Sequence, residues 1–334
     1  MLFYMMRRLL VIPFILLGVS VVLFVLTHMM PGDPAKVMAG EHAPQQTVEL
    51  IRKEFGLDKP LPEQYRIYIS NLLHGNLGIA TVTRRRVSED LGLYFPATIE
   101  LTLVAIILTV LMGVPLGVLS ATKKDTALDH LVRFTALSGV SLPIFWLGLI
   151  LQLVLYGKLG LLPIGGRLDV EFLPPPHVTG FFTVDSLLAL NMKAFGQTLT
   201  HLALPAFTLA FSSLAVVSRM TRSSMLEILA QDYIRTAQAK GLAQRTILYR
   251  HALKNAVIPT LTVIGLQAGA LLSGAFLVEA IFNWPGLGLY TMRAITRVDY
   301  PAIMGTSLLI TLVFIVINLV VDLLYGLIDP RIRF

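Results

Sequence analysis

The chain has 334 residues, of which 55% are hydrophobic and only 14% are charged, whereas about a quarter of the residues in soluble domains are charged. Its mean hydropathy is +0.74, which disfavours a water-soluble domain. The absence of cysteine excludes a disulfide framework, a thiolate nucleophile and a zinc–cysteine site. The net charge of +7 does not indicate nucleic-acid binding, because the basic residues flank apolar runs, as the positive-inside rule explains.

Six apolar runs are each long enough to cross a hydrocarbon core of about 30 Å as a helix. They are 9–30, 97–122, 134–157, 199–218, 257–282 and 303–328. The first run follows Arg7 and Arg8 and exceeds the about 7–15 apolar residues of a signal peptide, so we expect a retained helix. Prolines 115, 143 and 205 lie inside runs, where neighbouring helices in a membrane tolerate kinks. The sequence therefore predicts an all-α integral membrane protein with six transmembrane helices.

The distribution of basic residues predicts the orientation. If both ends are cytoplasmic, the inner segments hold 14 of the 27 Lys and Arg in 63 residues, and the outer segments hold 13 in 127 residues. Since basic residues accumulate on the cytoplasmic side of membrane proteins, we expect the N- and C-termini to be cytoplasmic.

Outer segment 31–96 is long enough to fold into a small external cap. Pro31-Gly32-Asp33-Pro34 predicts a rigid turn after the first span, and helices are expected around 46–55 and 63–73. The predicted domains are 1–96, the first transmembrane helix with its cap, and 97–334, a five-helix core with inner loop 219–256. A weaker apolar run at 181–190 is too short to span, so we place it at the membrane surface.

Inner loop 219–256 is basic and carries helix start and stop signals. Ser224-Met225-Leu226-Glu227 fits a capping box that would begin a short helix, and Asp232 is a second candidate N-cap. The pattern predicts two helical turns from Tyr233 to Lys240. Gly241 lies where a left-handed C′ glycine would end them. A basic helical stretch, 245–254, leads back to the fifth span.

The expected end of this short helix is a Schellman motif, in which Leu242 would pack back on Ala237. Ala237 and Ala239 would give the helix a small-residue face. The loop is thus predicted to present a short, rigid, capped helix to the cytoplasm.

Residues 232–242 reproduce the pattern D-Y-I-R-T-A-x-A-K-G-L throughout. This resembles the coupling loop of ABC importer membrane subunits, in the branch that serves dipeptides, oligopeptides and nickel. The general form of that loop is E-A-A-x3-G-x9-I-x-L-P, from which the chain departs at Arg235, His251 and Lys254, as that branch typically does. The blocks 28–34, 282–288 and 322–333 resemble further motifs of the branch. The 31–96 and 158–198 segments resemble the first permease subunit of dipeptide importers.

The resemblance implies the type I ABC importer permease fold in a bacterial inner membrane, with the chain as one half of the pore. It implies a homologous second permease subunit, two cytoplasmic ATPase subunits that bind ATP and magnesium, and an external substrate-binding protein. The residues that it assigns to ATPase coupling are Asp232, Tyr233, Arg235, Thr236, Ala237, Ala239, Lys240, Gly241 and Leu242. The chain itself is expected to be neither an enzyme nor a cofactor protein, because none of its nine lysines is followed by the Ser or Thr that a P-loop requires.

Carboxylates within or near the spans are functional suspects because burying a charge in a membrane is costly. We interpret Glu100 and Asp322 as boundary residues that cap a helix or pair with a neighbour. For Glu279, a functional role and such a structural role are equally supported. The candidate pore-lining residues are Gln267, Glu279 and Asn318, although helix-packing hydrogen bonds are the competing interpretation. No two histidines are three or four residues apart, which disfavours a metal site.

Several alternatives remain open from the sequence. Within the resembling branch, peptides, nickel and glutathione use similar pores. An ion-coupled secondary transporter would need an intramembrane relay and often an inverted repeat, neither of which is evident. An intramembrane hydrolase would need a paired nucleophile and base, which the sequence lacks. The basic run Arg84-Arg85-Arg86 is a solvated loop or a contact for a binding protein, with the loop favoured.

Overall fold

The structure is a computed structural model and describes residues 2–29, 33–39, 43–54 and 56–328. These residues form α-helices joined by loops. The helices are α1 (Leu2–Met29), α2 (Pro34–Ala39), α3 (Gln45–Glu54), α4 (Leu61–Leu73), α5 (Val87–Thr122), α6 (Ala127–Ser141), α7 (Ile144–Lys158), α8 (Phe182–Leu188), α9 (Met192–Leu229), α10 (Asp232–Ala239), α11 (Gln244–Ile281), α12 (Leu287–Thr296) and α13 (Tyr300–Ile328). Helices α7 and α11 contain π-helical segments, Gln152–Lys158 and Ile247–Ala252.

Among the described residues, five helices are long and apolar enough to cross a membrane: α1, α5, α9, α11 and α13. They correspond to the first, second, fourth, fifth and sixth predicted spans. Helices α5 and α9 have 36 and 38 residues. At about 1.5 Å per residue each is over 50 Å long, which exceeds the hydrocarbon core of about 30 Å. Both therefore extend well beyond their apolar runs.

The third predicted span, 134–157, is bent far more sharply than a proline kink, and the described residues hold six candidate spans if the bent pair is taken as one. Helices α6 and α7 are separate and meet at an angle of 112°. The break falls at Leu142, which is extended with φ −81° and ψ 131° and precedes Pro143. A proline disfavours the helical conformation of the residue before it and lacks the N–H that would continue the helix. Pro115 and Pro205, by contrast, lie within continuous helices, as expected.

The chain divides into two compact units, Met1–Pro96 with Pro285–Val316, and Ala97–Trp284 with Ile317–Phe334. The break after Pro96 coincides with the predicted domain boundary. Residues 285–316 group with the first unit, so the predicted second domain 97–334 is not one compact unit. The external position of the cap stays a prediction.

The first unit contains the helices predicted around 46–55 and 63–73, which are α3 and α4. Helix α4 packs on α1, where the rings of Phe24 and Tyr65 meet edge to face at 5.3 Å and the hydroxyls of Ser20 and Tyr65 lie 2.9 Å apart. Val87, Leu91 and Tyr290 are among the residues of a separate buried apolar cluster. The predicted turn at 31–34 lies largely outside the described residues.

The second unit is built around α9, which packs against α6, α7, α8 and α11. Glycines allow close helix approach. A Cβ on Gly117 of α5 would lie 2.5 Å from Cβ of Thr221 and 2.6 Å from the carbonyl oxygen of Ser218 on α9. A Cβ on Gly139 of α6 would lie 2.8 Å from Cβ of Ala215. Such small-residue contacts are typical of helix packing in membranes.

Candidate functional site

Helix α10 is the predicted two-turn helix of the inner loop. It begins at Asp232 and follows Gln231, which has the extended N-cap conformation. The interpretation of Asp232 as the N-cap is wrong by one residue, and no side chain caps this end. Instead, the exposed carboxylate of Asp232 accepts a hydrogen bond from Nη1 of Arg235 at 3.3 Å. An acidic residue in the first turn still complements the positive end of the helix dipole.

The C-terminal end of α10 is a Schellman motif, as predicted. Gly241 has a φ of +73°, which glycine adopts without the steric cost that a Cβ imposes. The Gly241 N–H donates to the carbonyl of Gln238 at 2.9 Å, and the Leu242 N–H donates to the carbonyl of Ala237 at 3.3 Å. These two bonds satisfy carbonyls that the helix end would leave unpaired. The direction in which the chain leaves α10 is therefore defined.

The capping box predicted at 224–227 does not form. Helix α9 continues through this segment to Leu229. Ser224 and Met225 are buried, and Met225 belongs to the apolar cluster that also contains residues of α10. Burial of Met225 in a continuing helix contributes more than one capping hydrogen bond, which typically stabilises by about 1 kcal/mol.

Helix α10 is held on its own hydrophobic core. Ile234 and Ala237 are buried with Met225, Ile247 and Ala252 from the ends of α9 and α11. Burying a side chain the size of Ile234 stabilises by about 1.5–3 kcal/mol. In addition, Nδ2 of Asn255 donates to the Tyr233 hydroxyl at 2.9 Å. A helix this short is unstable alone, so these contacts position it.

The expected small-residue docking face is wrong in one of its two residues. Ala237 is only 7% exposed and faces the core beneath α10, whereas Ala239 is exposed. The outward surface of the segment therefore lacks Ala237. It consists of Asp232, Tyr233, Arg235, Thr236, Gln238, Ala239, Lys240, Gly241 and Leu242.

A buried ion pair ties together the helices behind α10. The Asp129 carboxylate of α6 is fully buried and accepts hydrogen bonds from Nε and Nη2 of Arg222 on α9, each at 2.8 Å. The Ser120 hydroxyl of α5 and the Asp125 N–H also donate to it. Asp129 and Arg222 are 93 residues apart, so sequence spacing gave no signal for this contact. The ion pair joins α6 to α9, the helix that precedes α10.

Glu100 pairs with a neighbour, as expected. Its carboxylate accepts from Nη2 of the buried Arg167, and the Thr183 N–H and hydroxyl each donate to it at 2.7 Å. The Arg167 guanidinium also lies 3.5 Å from the centre of the Phe182 ring. These contacts attach the 158–198 segment to α5. The side chain of Asp322 lies outside the described residues.

The same segment has an internal anchor at Asp185 of α8. Burial alone would raise the pKa of Asp185, but hydrogen bonds from the Thr179 hydroxyl and the N–H groups of Val178, Thr179 and Gly180 outweigh it and hold the pKa below its ordinary value. The 181–190 run is thus a folded part of the second unit. Its location at the membrane surface stays a prediction.

The three candidate pore-lining residues differ in exposure. Glu279 is fully buried, and the Thr98 hydroxyl donates to it at 2.6 Å, so its carboxylate is not accessible in this conformation. Gln267 and Asn318 are partly exposed. Their pore-lining role stays a prediction.

The basic run 84–86 is more than a solvated loop. Nε of Arg85 lies 2.9 Å from the fully buried carboxylate of Asp90. The Thr83 hydroxyl and the Tyr290 hydroxyl also donate to Asp90. Arg85 therefore helps to hold the first unit together, and a contact with a binding protein stays untested.

Comparison with protein families gives two matches that together cover nearly the whole chain. Residues 113–334 match a family described as the binding-protein-dependent transport system inner membrane component. Residues 1–102 match the N-terminal part of such membrane components. The first match contains α10 and the core beneath it.

Curated relatives are similar over nearly their full lengths. The probable D,D-dipeptide transport system permease protein of Escherichia coli (strain K12) is 50% identical over 315 residues, which is 94% of this chain and 93% of the relative. A dipeptide transport system permease protein of Alkalihalophilus pseudofirmus is 45% identical over 334 residues, all of both chains. A glutathione transport system permease protein of Escherichia coli O6:H1 is 39% identical over 334 residues, again all of both chains.

Proposed function

Because the chain belongs to the family of binding-protein-dependent transport system inner membrane components, we propose that it is the permease subunit that forms one half of the pore of an ATP-driven importer. The other half is a homologous second permease subunit. Two cytoplasmic ATPase subunits bind ATP and magnesium, and an external binding protein delivers the substrate. The chain itself performs no chemical conversion.

The observation that carries this proposal is the construction of α10. One side of the helix packs on the core that contains Ile234 and Ala237, and the other side is exposed. Both ends of the helix connect directly to long membrane-spanning candidates, α9 and α11. A pore subunit without a nucleotide site must receive mechanical work through a stiff element. We therefore assign the outward surface of α10 to docking with an ATPase.

The proposed topology has both termini in the cytoplasm. The basic residues are about twice as dense in the segments that this topology places inside. The 31–96 segment is then an external cap, and α10 is cytoplasmic. A reporter fused at residue 334 or inserted in 231–243 is expected to read cytoplasmic, and one inserted in 56–60 external. A cytoplasmic signal from 56–60 contradicts this topology.

We propose that the transported substrates are dipeptides and oligopeptides. The relatives named for dipeptide transport are 45–50% identical to the chain, and the one named for glutathione transport is 39% identical. Glutathione is the second candidate substrate, and nickel is the third. An ion-coupled secondary transporter conflicts with the family, whose members work with a binding protein.

Two measurements test the proposal. The tagged chain is expected to co-purify with ATPase subunits and to show no ATP hydrolysis when isolated without them. A strain that lacks the chain is expected to lose uptake of radiolabelled dipeptides while it keeps uptake of free amino acids. Loss of glutathione uptake alone, or of nickel uptake alone, would make that compound the assigned substrate instead of dipeptides. Robust ATP hydrolysis by the isolated chain would refute the role as a permease.

A further inference from the structure

The second unit contains an open cavity of about 690 Å³ near the Asp129–Arg222 ion pair. It lies among the end of α5, the first turns of α6 and the later part of α9. Ligand pockets typically measure about 300–1,000 Å³, so the cavity is large enough for a headgroup and part of a chain. Neither the coupling helix nor the core beneath it lines the cavity.

Four lysine or arginine residues line this cavity, against one acidic residue, Asp125. Arg222 is already paired with Asp129, and Nζ of Lys124 lies 4.0 Å from the Asp125 carboxylate. Arg133 and Arg219, by contrast, are exposed and form no ion pair with any residue that the structure describes. The cavity therefore has an excess of positive charge, which favours an anionic ligand.

The cavity also crosses the boundary between polar and apolar surface. Arg133 directly precedes the apolar run that begins at Phe134, and Arg219 directly follows the run that ends at Ser218. On the apolar side the lining includes Phe134 and Leu137, which are 68% and 63% exposed. The two arginines thus lie at the expected level of the lipid headgroups, and the apolar side chains lie at the level of the acyl chains.

We propose that this cavity binds an anionic phospholipid. The phosphate would contact Arg133 and Arg219, because guanidinium groups donate paired hydrogen bonds to phosphate oxygens. An acyl chain would cover Phe134 and Leu137. A free phosphate ion would use the two arginines and leave the apolar wall uncovered, which is why the amphipathic ligand fits better. Basic pockets between membrane helices bind lipid headgroups in this way.

The test measures lipid binding to the intact transporter by native mass spectrometry in detergent. The probes are dioleoyl phosphatidylglycerol and dioleoyl phosphatidylcholine, which have the same acyl chains but differ in net charge. The cavity variant is Arg133→Gln with Arg219→Gln. The control is Lys123→Gln with Lys193→Gln, which removes the same charge at exposed residues outside the cavity. A charge-conserving variant, Arg133→Lys with Arg219→Lys, covers the case in which the glutamine variant fails to assemble.

A basic residue near an anionic headgroup contributes about fivefold to affinity, so the cavity variant is expected to bind phosphatidylglycerol about 25-fold more weakly. Its binding of phosphatidylcholine should change little, and the control should retain the wild-type preference. The lysine variant should keep most of the preference for phosphatidylglycerol.

Three outcomes would overturn the proposal. First, the glutamine variant could bind phosphatidylglycerol as tightly as the wild type does. If only the lysine variant assembles, equal affinities of that variant for phosphatidylglycerol and phosphatidylcholine would overturn the proposal, because its positive charge is conserved. Millimolar inorganic phosphate could displace phosphatidylglycerol from the wild type, which would identify a phosphate site. Finally, the cavity variant could lose ATPase subunits with lipid binding unchanged, which would identify a protein contact.

Discussion

Replacement of Gly241 tests the proposed coupling role of α10 separately from its structural role. Gly241 has a φ of +73°, and a Cβ built on it meets no atom within 4 Å. Gly241→Val therefore adds no steric clash, and its cost is that of a left-handed residue with a Cβ, about 1–2 kcal/mol. That energy corresponds to a factor of roughly 5–30 in a conformational equilibrium. This strain would weaken the two hydrogen bonds that end α10.

We expect transport by Gly241→Val to fall roughly 5–30-fold if an intact cap is needed for coupling, while the amount of chain in the membrane stays near wild type. Asparagine adopts the left-handed conformation more readily than other non-glycine residues, so Gly241→Asn is expected to retain more transport than Gly241→Val. The assay is initial-rate uptake of a labelled dipeptide, divided by the membrane level of the tagged chain.

The matched control is Gly75→Val. Gly75 has a φ of +76°, and a Cβ on it also meets no atom within 4 Å, so the backbone strain is equal and only the location differs. Normal transport by Gly241→Val would show that the loop is a simple connector. An equal loss of transport in both variants would show that general strain, and not the angle of α10, causes the defect.

Three further predictions follow from the packing of the second unit. Ala239→Trp is expected to abolish co-purification of the ATPase while the membrane level of the chain stays normal. Ala237→Trp should instead lower the membrane level, because Ala237 is buried. The opposite pattern would place the docking face elsewhere. Glu100→Gln leaves Arg167 buried without its carboxylate partner and should lower the free energy of unfolding by about 3–5 kcal/mol. The measurement is the midpoint of thermal unfolding in detergent, and an unchanged midpoint would contradict the ion pair. Gly117→Val must separate α5 from α9 and should lower the free energy of unfolding by about 1–3 kcal/mol or more. The same thermal measurement checks it, and normal stability would exclude the close approach of the two helices.

The sequence was sufficient for features that depend on local chemistry. The long apolar runs became helices, and Gly241 ended α10 in the predicted motif, because hydropathy and backbone freedom are properties of single segments. The break at Pro143 was locally encoded as well, but a proline inside an apolar run indicates either a kink or a break. Pro205 lies in a continuous helix, so a proline in an apolar run does not by itself decide between the two.

Contacts between distant segments could not be predicted. Glu100 and Arg167 are 67 residues apart, and Asp129 and Arg222 are 93 residues apart. The sequence showed that a charge near a membrane span needs a partner but did not identify the partner. The capping box at 224–227 failed for a related reason, since its local signal competes with burial of Met225 in a core that also contains residues of α5, α10 and α11.

The orientation of α10 shows how a local signal can be present and still be misread. Ala237 and Ala239 suggest a small docking face when they are considered as a pair, but residues two apart on a helix do not share a face. Ile234 and Ala237 are three apart, which is the spacing of a helical stripe, and they are the two residues that the structure buries. A helix this short must pack one row of its side chains on its own subunit, because an eight-residue helix is not stable alone. Whatever docks on α10 therefore contacts the opposite face, where Arg235 and Ala239 are exposed.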